Sequence, residues 1–315
     1  MTQLIQNWID IHFTARDGLR LYARRYPAQG SARRPVVCLA GLTRNSRDFH
    51  DLASALAGAG EKARDVYALD YRGRGLSAFD ADWRHYSILV ELNDVLDFMT
   101  AQGLHHAAVI GTSRGGILAM LMAVLRPGAI GAAVLNDIGP VVEREGLSRI
   151  VAYVGRVPVP ANWQDASEIV REMSQRQFPA VPAAQWAEVA RAWFNEDNGR
   201  PARGYDVRLA KQFVHADANI PELWPQFTAL SDTPLLVIRG EHSDILSAET
   251  VHEMRHRHPR LEAIQVAGQG HAPLLKDAPT IAAIADFLAR TDRGSVESVG
   301  RPRPAAMAAS VGVRF

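Results

Sequence analysis

Three features predict an α/β fold, an eight-stranded and mostly parallel sheet with helices on both faces and a helical cap inserted after the sixth strand. Short β-type apolar runs alternate with helical patterns over most of the chain, the rhythm that builds a parallel sheet covered by helices. The pentapeptide Gly111-Thr112-Ser113-Arg114-Gly115 joins an apolar run to a helical pattern, placing a serine on a sharp strand-to-helix turn. Residues 139–233, too many for a loop in a compact domain, separate two of the later strands.

The strands are expected at residues 9–14, 19–26, 35–41, 66–71, 107–112, 132–138, 234–240 and 261–267. Asp17-Gly18 between the first two is a hairpin signal, so the sheet opens with an antiparallel pair. Helices are expected at 47–59, 87–102, 116–126, 248–258 and 279–290. Within the long insertion, helical stretches at 143–155, 165–177, 183–194 and 205–215 are broken by prolines, which reads as a cap over the carboxyl edge of the sheet. The organisation is therefore a core of residues 1–138 and 231–290, a cap of 139–230, and a tail of 291–315. The tail is rich in Gly, Ala, Ser, Pro and Arg without periodicity, and is expected to be disordered.

At 315 residues and 47% apolar content the chain can bury a large core. Thirty-five basic residues against 34 acidic leave a net charge of +1, so no global field favours nucleic acid or an anionic membrane. A small-molecule substrate is the expected partner. The lone cysteine, Cys38, excludes an intramolecular disulfide and lies in the apolar run Val36 to Ala40, where an inert thiol is expected. The first ten residues carry no signal-peptide pattern and no run of 18 apolar residues occurs, so a cytoplasmic protein is expected.

A serine hydroxyl needs a base to take its proton, and the base needs a partner that fixes its tautomer. In open parallel sheets such groups lie in loops at the carboxyl ends of strands. After the serine turn, the strand at 234–240 leads into Glu241-His242-Ser243-Asp244, and the strand at 261–267 leads into Gly268-Gln269-Gly270-His271. The order is Ser, Asp, His. Asp137, after the sixth strand, is a second candidate acid.

These loops, with the serine turn and the stretch Asp70-Tyr71-Arg72-Gly73-Arg74-Gly75-Leu76-Ser77, resemble the capped members of the α/β-hydrolase family over roughly residues 9 to 290. The resemblance implies Ser113 as nucleophile, His271 as general acid and base, and Asp244 as the orienting carboxylate; some relatives keep the acid where Asp137 stands. It also implies an oxyanion hole built from the backbone N–H groups of Arg114 and of Leu42, in the loop after the third strand. No cofactor and no metal are implied. The expected reaction is hydrolysis of a small carboxylic ester or lactone. C–C bonds of ring-cleavage products and amides are the alternatives, and a receptor that binds without turnover is the alternative from another class.

Four tryptophans fall in the cap, of which Trp163 and Trp186 are expected to meet the substrate. Arg44 and Arg114 flank the two oxyanion donors, where a carboxylate on the substrate, or Asp48, Asp70 or Asp137, would pair with them. Two further motifs read as structural. His252-Glu253-Met254-Arg255-His256 matches the zinc pattern H-E-x-x-H but sits on an expected outer helix without a third ligand. Gly73 to Ala78 mimics a dinucleotide fingerprint, yet no helix is expected to follow it.

Overall fold

The computed structural model describes residues 6–30, 33–213 and 221–298. Its sheet has eight strands: β1 (Ile9–Thr14), β2 (Arg20–Tyr26), β3 (Val36–Leu39), β4 (Val66–Asp70), β5 (Ala107–Thr112), β6 (Ile130–Asn136), β9 (Leu235–Gly240) and β10 (Leu261–Val266). β7 (Asn195–Asp197) and β8 (Arg200–Ala202) form a separate hairpin inside the cap. The spatial order is β1-β2-β4-β3-β5-β6-β9-β10; β2 is antiparallel to both β1 and β4, and every later pairing is parallel. The expected hairpin is present, with Thr14 opposite Arg20 across Asp17-Gly18.

β3, β4 and β6 are buried at every residue, as strands covered on both faces must be, and their sequences are correspondingly near-continuous apolar runs. Helices α1 (His50–Ala57), α2 (Ile88–Ala101), α3 (Arg114–Leu125), α8 (Ala248–Arg257) and α9 (Ala278–Ser298) flank the sheet, and one continuous apolar core joins strands to helices. Cys38 is fully buried in β3, and burial pushes its thiol well above the ordinary range. No helix among the described residues is long and apolar enough to cross a membrane.

The cap follows β6. It comprises α4 (Arg144–Tyr153), α5 (Trp163–Ser174), α6 (Gln185–Trp193), the β7–β8 hairpin and a 3₁₀ segment, Val207–Phe213; the short helix α7 (Trp224–Thr228) leads back to the core. The cap has a small apolar core of its own, with Val170, Phe178, Trp186 and Phe194 at its centre. Polar ties fasten it to the sheet. The Arg47 guanidinium donates to the carbonyls of Ala192 and Phe194 and to Asn195, while the Asn45 side chain donates to Ala192 O.

The turn at Gly73 to Ser77 is a seat for the cap. Gly75 N–H donates to Gly204 O, Asp206 N–H donates to Gly73 O, and Arg74 bridges Tyr205. Beneath the turn, fully buried Arg72 pairs with Asp94, Asp80 and Asp17, and Asp70 accepts from the N–H groups of Ser46 and Leu76. Deleting one partner of so buried an ion cluster typically costs about 3–5 kcal/mol.

Two expectations about the fold are corrected. The region 291–315 was expected to be disordered from residue 291, but α9 continues to Ser298 because Asp292 pairs with Arg64, 1% exposed, and Thr291 accepts from Arg34; residues 299–315 lie outside the described residues. The last expected cap helix, 205–215, is a 3₁₀ turn as far as Phe213, with 214–215 outside the described residues.

Candidate functional site

Ser113 follows β5 directly and stands at φ 52°, ψ −115°, a region that a residue with a Cβ occupies at a cost of order 1–3 kcal/mol. Its neighbours permit the turn. A Cβ on Gly115 would lie 2.0 Å from Leu39 O, and one on Gly111 would lie 2.4 Å from the carbonyl of Gly115, so strand and helix can approach only through glycine. The apolar pattern of α3 then drives its helix against the sheet beneath the serine.

The parallel registers align the ends of four adjacent strands. Thr112 faces Asn136, Asn136 faces Ile238, and Gly240 faces Val266, so the residues that follow β5, β6, β9 and β10 meet at one edge. There His271 Nε2 lies 2.9 Å from Ser113 Oγ, and His271 Nδ1 lies 2.9 Å from Asp137 Oδ2. Asn136 braces this edge by donating to Thr112 Oγ1 and to Pro273 O in the histidine loop.

The acid beside His271 is Asp137, which corrects the expectation placed on Asp244. Asp137 abuts the end of β6 with φ 56° and a side chain 0% exposed. Its carboxylate accepts from Gly240 N–H at 2.8 Å, from the Ser243 hydroxyl at 2.6 Å, and from the imidazole. Asp244 is instead held by Arg149 of α4, at 2.6 Å to Nε and 2.9 Å to Nη2. Burial alone would raise the Asp244 pKa, but the Arg149 guanidinium holds the carboxyl below its ordinary value.

Leu42, in the loop after β3, and Ser113 both line a cavity of about 130 Å³ between sheet edge and cap. The Leu42 carbonyl is fixed by Arg74 Nε at 2.9 Å. Arg114 opens α3, and its side chain runs away from the cavity to Glu91 at 2.6 Å and to Tyr86 O; Glu91 also pairs with buried Arg74. Arg114 therefore meets none of the partners expected for it. Arg44 does line the cavity, paired with Asp48 and stacked 4.2 Å over Trp193. Trp186, 3% exposed, lines the wall and meets Phe178 edge to face. Trp163 does not reach the cavity, which corrects its expected role. It lies under the Arg191 guanidinium at 3.7 Å and donates to Gly199 O on the cap's outer side.

Arg149, Tyr153 and Lys276 also line the cavity, and sequence reasoning did not single them out. Nothing local distinguishes them from other polar surface residues; only the docking of α4 and the histidine loop brings them in. The zinc-like motif lies on α8, with Glu253 paired to Arg257 and the two histidines exposed beside each other. Among the described residues the single three-residue group with metal-ligand geometry is Asp17, Asp80 and His85, whose carboxylates already neutralise Arg72. After Gly73 to Ala78 no α-helix opens before Ile88.

A family model for the alpha/beta hydrolase family matches residues 36–284. The chain belongs to the alpha/beta hydrolase family. It is 32% identical over 263 residues to the 3-hydroxybutyrate-oligomer hydrolase of Cupriavidus necator, covering 81% of this chain and 88% of that one. It is 29% identical to the esterase YbfF of Escherichia coli, over 70% of this chain and 84% of that one. Among solved structures, an alpha/beta hydrolase from Novosphingobium aromaticivorans superposes with a TM-score of 0.83 at 41% identity, covering 90% of this chain and 99% of that one. This family member is a hydrolase, and ester cleavage is the activity its esterase and oligomer-hydrolase relatives make plausible.

Proposed function

We propose that this alpha/beta hydrolase cleaves a short ester or lactone carrying a carboxylate, through an acyl-enzyme on Ser113. The observation that carries the reading is the unbroken hydrogen-bonded chain from Ser113 Oγ through His271 to Asp137, open to the cavity at its serine end. Ser113 Oγ attacks the carbonyl carbon as its proton passes to His271 Nε2. Asp137 keeps the Nδ1–H directed at itself and stabilises the imidazolium. The bond to the leaving alkoxide then breaks as Nε2 returns that proton, releasing the alcohol. Water gives a proton to Nε2 and attacks the acyl carbon, and Ser113 departs with the proton, freeing the carboxylic acid. The N–H groups of Leu42 and Arg114 serve the tetrahedral oxyanion, each donor contributing about 3 kcal/mol to the transition state.

Size and charge support the substrate class. An engineered cavity of about 150 Å³ holds benzene, so 130 Å³ suits a fragment of a few carbon atoms. Arg44, Arg149 and Lys276 line the cavity, each paired with a carboxylate of which only Asp48 belongs to the wall, and cationic groups so placed suit an anionic ligand. The likeness to a 3-hydroxybutyrate-oligomer hydrolase agrees with both, since a linear oligoester of a hydroxy acid ends in a free carboxylate.

A fluorophosphonate is expected to modify Ser113, mapped by peptide mass, and to abolish turnover of short esters such as the linear dimer of 3-hydroxybutyrate. Modification elsewhere, or turnover of amides or C–C-bond substrates with esters untouched, overturns the reading.

A further inference from the structure

The Asp244 loop, freed from contact with His271, is bolted to the first helix of the cap. Glu143 N–H donates to Ile245 O at 3.0 Å, and Gly146 N–H donates to Asp244 O at 3.1 Å. A Cβ on Gly146 would come within 2.3 Å of that same oxygen, so only glycine lets α4 settle this closely. Arg149 lies three residues further along, on the same face of the helix, and its Nε and Nη2 engage the Asp244 carboxylate side-on. A guanidinium has five N–H donors in a rigid fork, and this pairing uses the Nε edge. Arg149 also meets the Tyr153 hydroxyl, and both residues stand in the wall of the cavity that holds Ser113.

We propose that Arg149, together with Tyr153, is the subsite that grips the substrate's carboxylate, and that Asp244 is the positioning residue that aims it. The inference rests on the hydrolase reading above and assigns its substrate charge to particular groups. Arg149 suits the task better than Arg44 or Lys276. Arg44 is neutralised by Asp48 within the cavity wall itself and lies 4.2 Å over the Trp193 ring, and Lys276 is drawn to Asp51 at 2.8 Å, with Glu188 at 3.9 Å. Arg44 is held through the same edge, but its carboxylate shares the cavity wall, whereas the carboxylate that fixes the plane of Arg149 lies outside the lining.

The test compares 3-acetoxybutyrate with its neutral isostere 3-acetoxybutyramide, reading acetate release by the full-length enzyme. The wild type is expected to favour the carboxylate roughly tenfold or more in kcat/KM, mostly through KM, as a charge-assisted hydrogen bond would give. Arg149→Gln is expected to bring that ratio near unity, with Arg149→Lys restoring part of it and Asp244→Asn lowering it part-way through KM. A wild-type ratio near one, or a ratio that Arg149→Gln leaves at the wild-type value, overturns the proposal. Should Arg149→Gln fail to fold, inhibition of the wild type decides. Competitive inhibition by 3-hydroxybutyrate at least tenfold tighter than by 3-hydroxybutyramide supports it, and equal inhibition sinks it. Failure of the underlying hydrolase reading would look different, with neither acetate ester turned over and Ser113 unmodified by fluorophosphonate.

Discussion

The end of β6 and the loop after β9 each offer an aspartate to the same edge of the sheet, and the fold treats them in opposite ways. Asp137 is the first residue past its strand, wholly buried, and accepts from a backbone N–H, a hydroxyl and an imidazole. Asp244 is four residues past its strand, 19% exposed, and pairs with a cap arginine. The same side chain thus becomes part of a proton chain in one place and a strut between domains in the other. Their partners separate the two, because Asp137 is met by Gly240 N–H and the Ser243 hydroxyl of the β9 loop, whereas Asp244 is drawn to Arg149 of the cap.

The largest expected effect tests that contrast directly. Asp137→Asn should lower kcat on a short neutral ester by about 10³–10⁴, since an amide at this position stabilises the wrong imidazole tautomer. Asp244→Asn should lower it at least a hundredfold less. Steady-state kinetics on the two variants checks both, and a greater loss in Asp244→Asn would reverse the assignment.

A second comparison sets the serine turn against the cap. Gly115→Ala forces a methyl to within 2.0 Å of Leu39 O, backbone that cannot yield, and is expected to cost about 3 kcal/mol or prevent folding, read by urea denaturation. Within the cap, Trp163→Ala should lower stability by about 1 kcal/mol through loss of the Arg191 stack while leaving kcat/KM within twofold of wild type, roughly the size of an exposed cation–π contact. Trp186→Ala should change KM as well, because its ring forms cavity wall.

The smallest effect concerns acid. The folded Asp244 carboxyl lies below its unfolded value, near 3.9, so the stability it contributes is complete above that value and is lost as pH falls through the lower folded one. Asp244→Asn should therefore flatten the fall in Tm on the acid side of about pH 4. A Tm profile that keeps its wild-type slope there would show that the Arg149 pair adds nothing to folding.

Much of the fold is legible because its signals are local. Every expected strand of the main sheet forms within two residues of its expected bounds, since buried parallel strands are apolar runs that a short window detects. The cap hairpin β7–β8 went unread although Asn198-Gly199 marks its turn, both residues at positive φ, because the flanking strands are only three residues each. The helical stretch 291–298 went unread for a different reason. Its composition is that of a tail, and the pairing of Asp292 with Arg64 anchors it across a sequence separation no local window spans.

For the site, the chain itself determined the serine, the histidine and the strand ends that carry them, because a Gly-flanked turn after an apolar run is a local necessity of backbone geometry. Tertiary structure alone decided which aspartate faces the imidazole, which tryptophan reaches the cavity, and that Arg149 lines it while the side chain of Arg114 runs away to Glu91. Those outcomes depend on register between strands and on how α4 docks against the β9 loop. Both are set by packing among residues far apart along the chain, where the type of a side chain fixes its chemistry but not its neighbours.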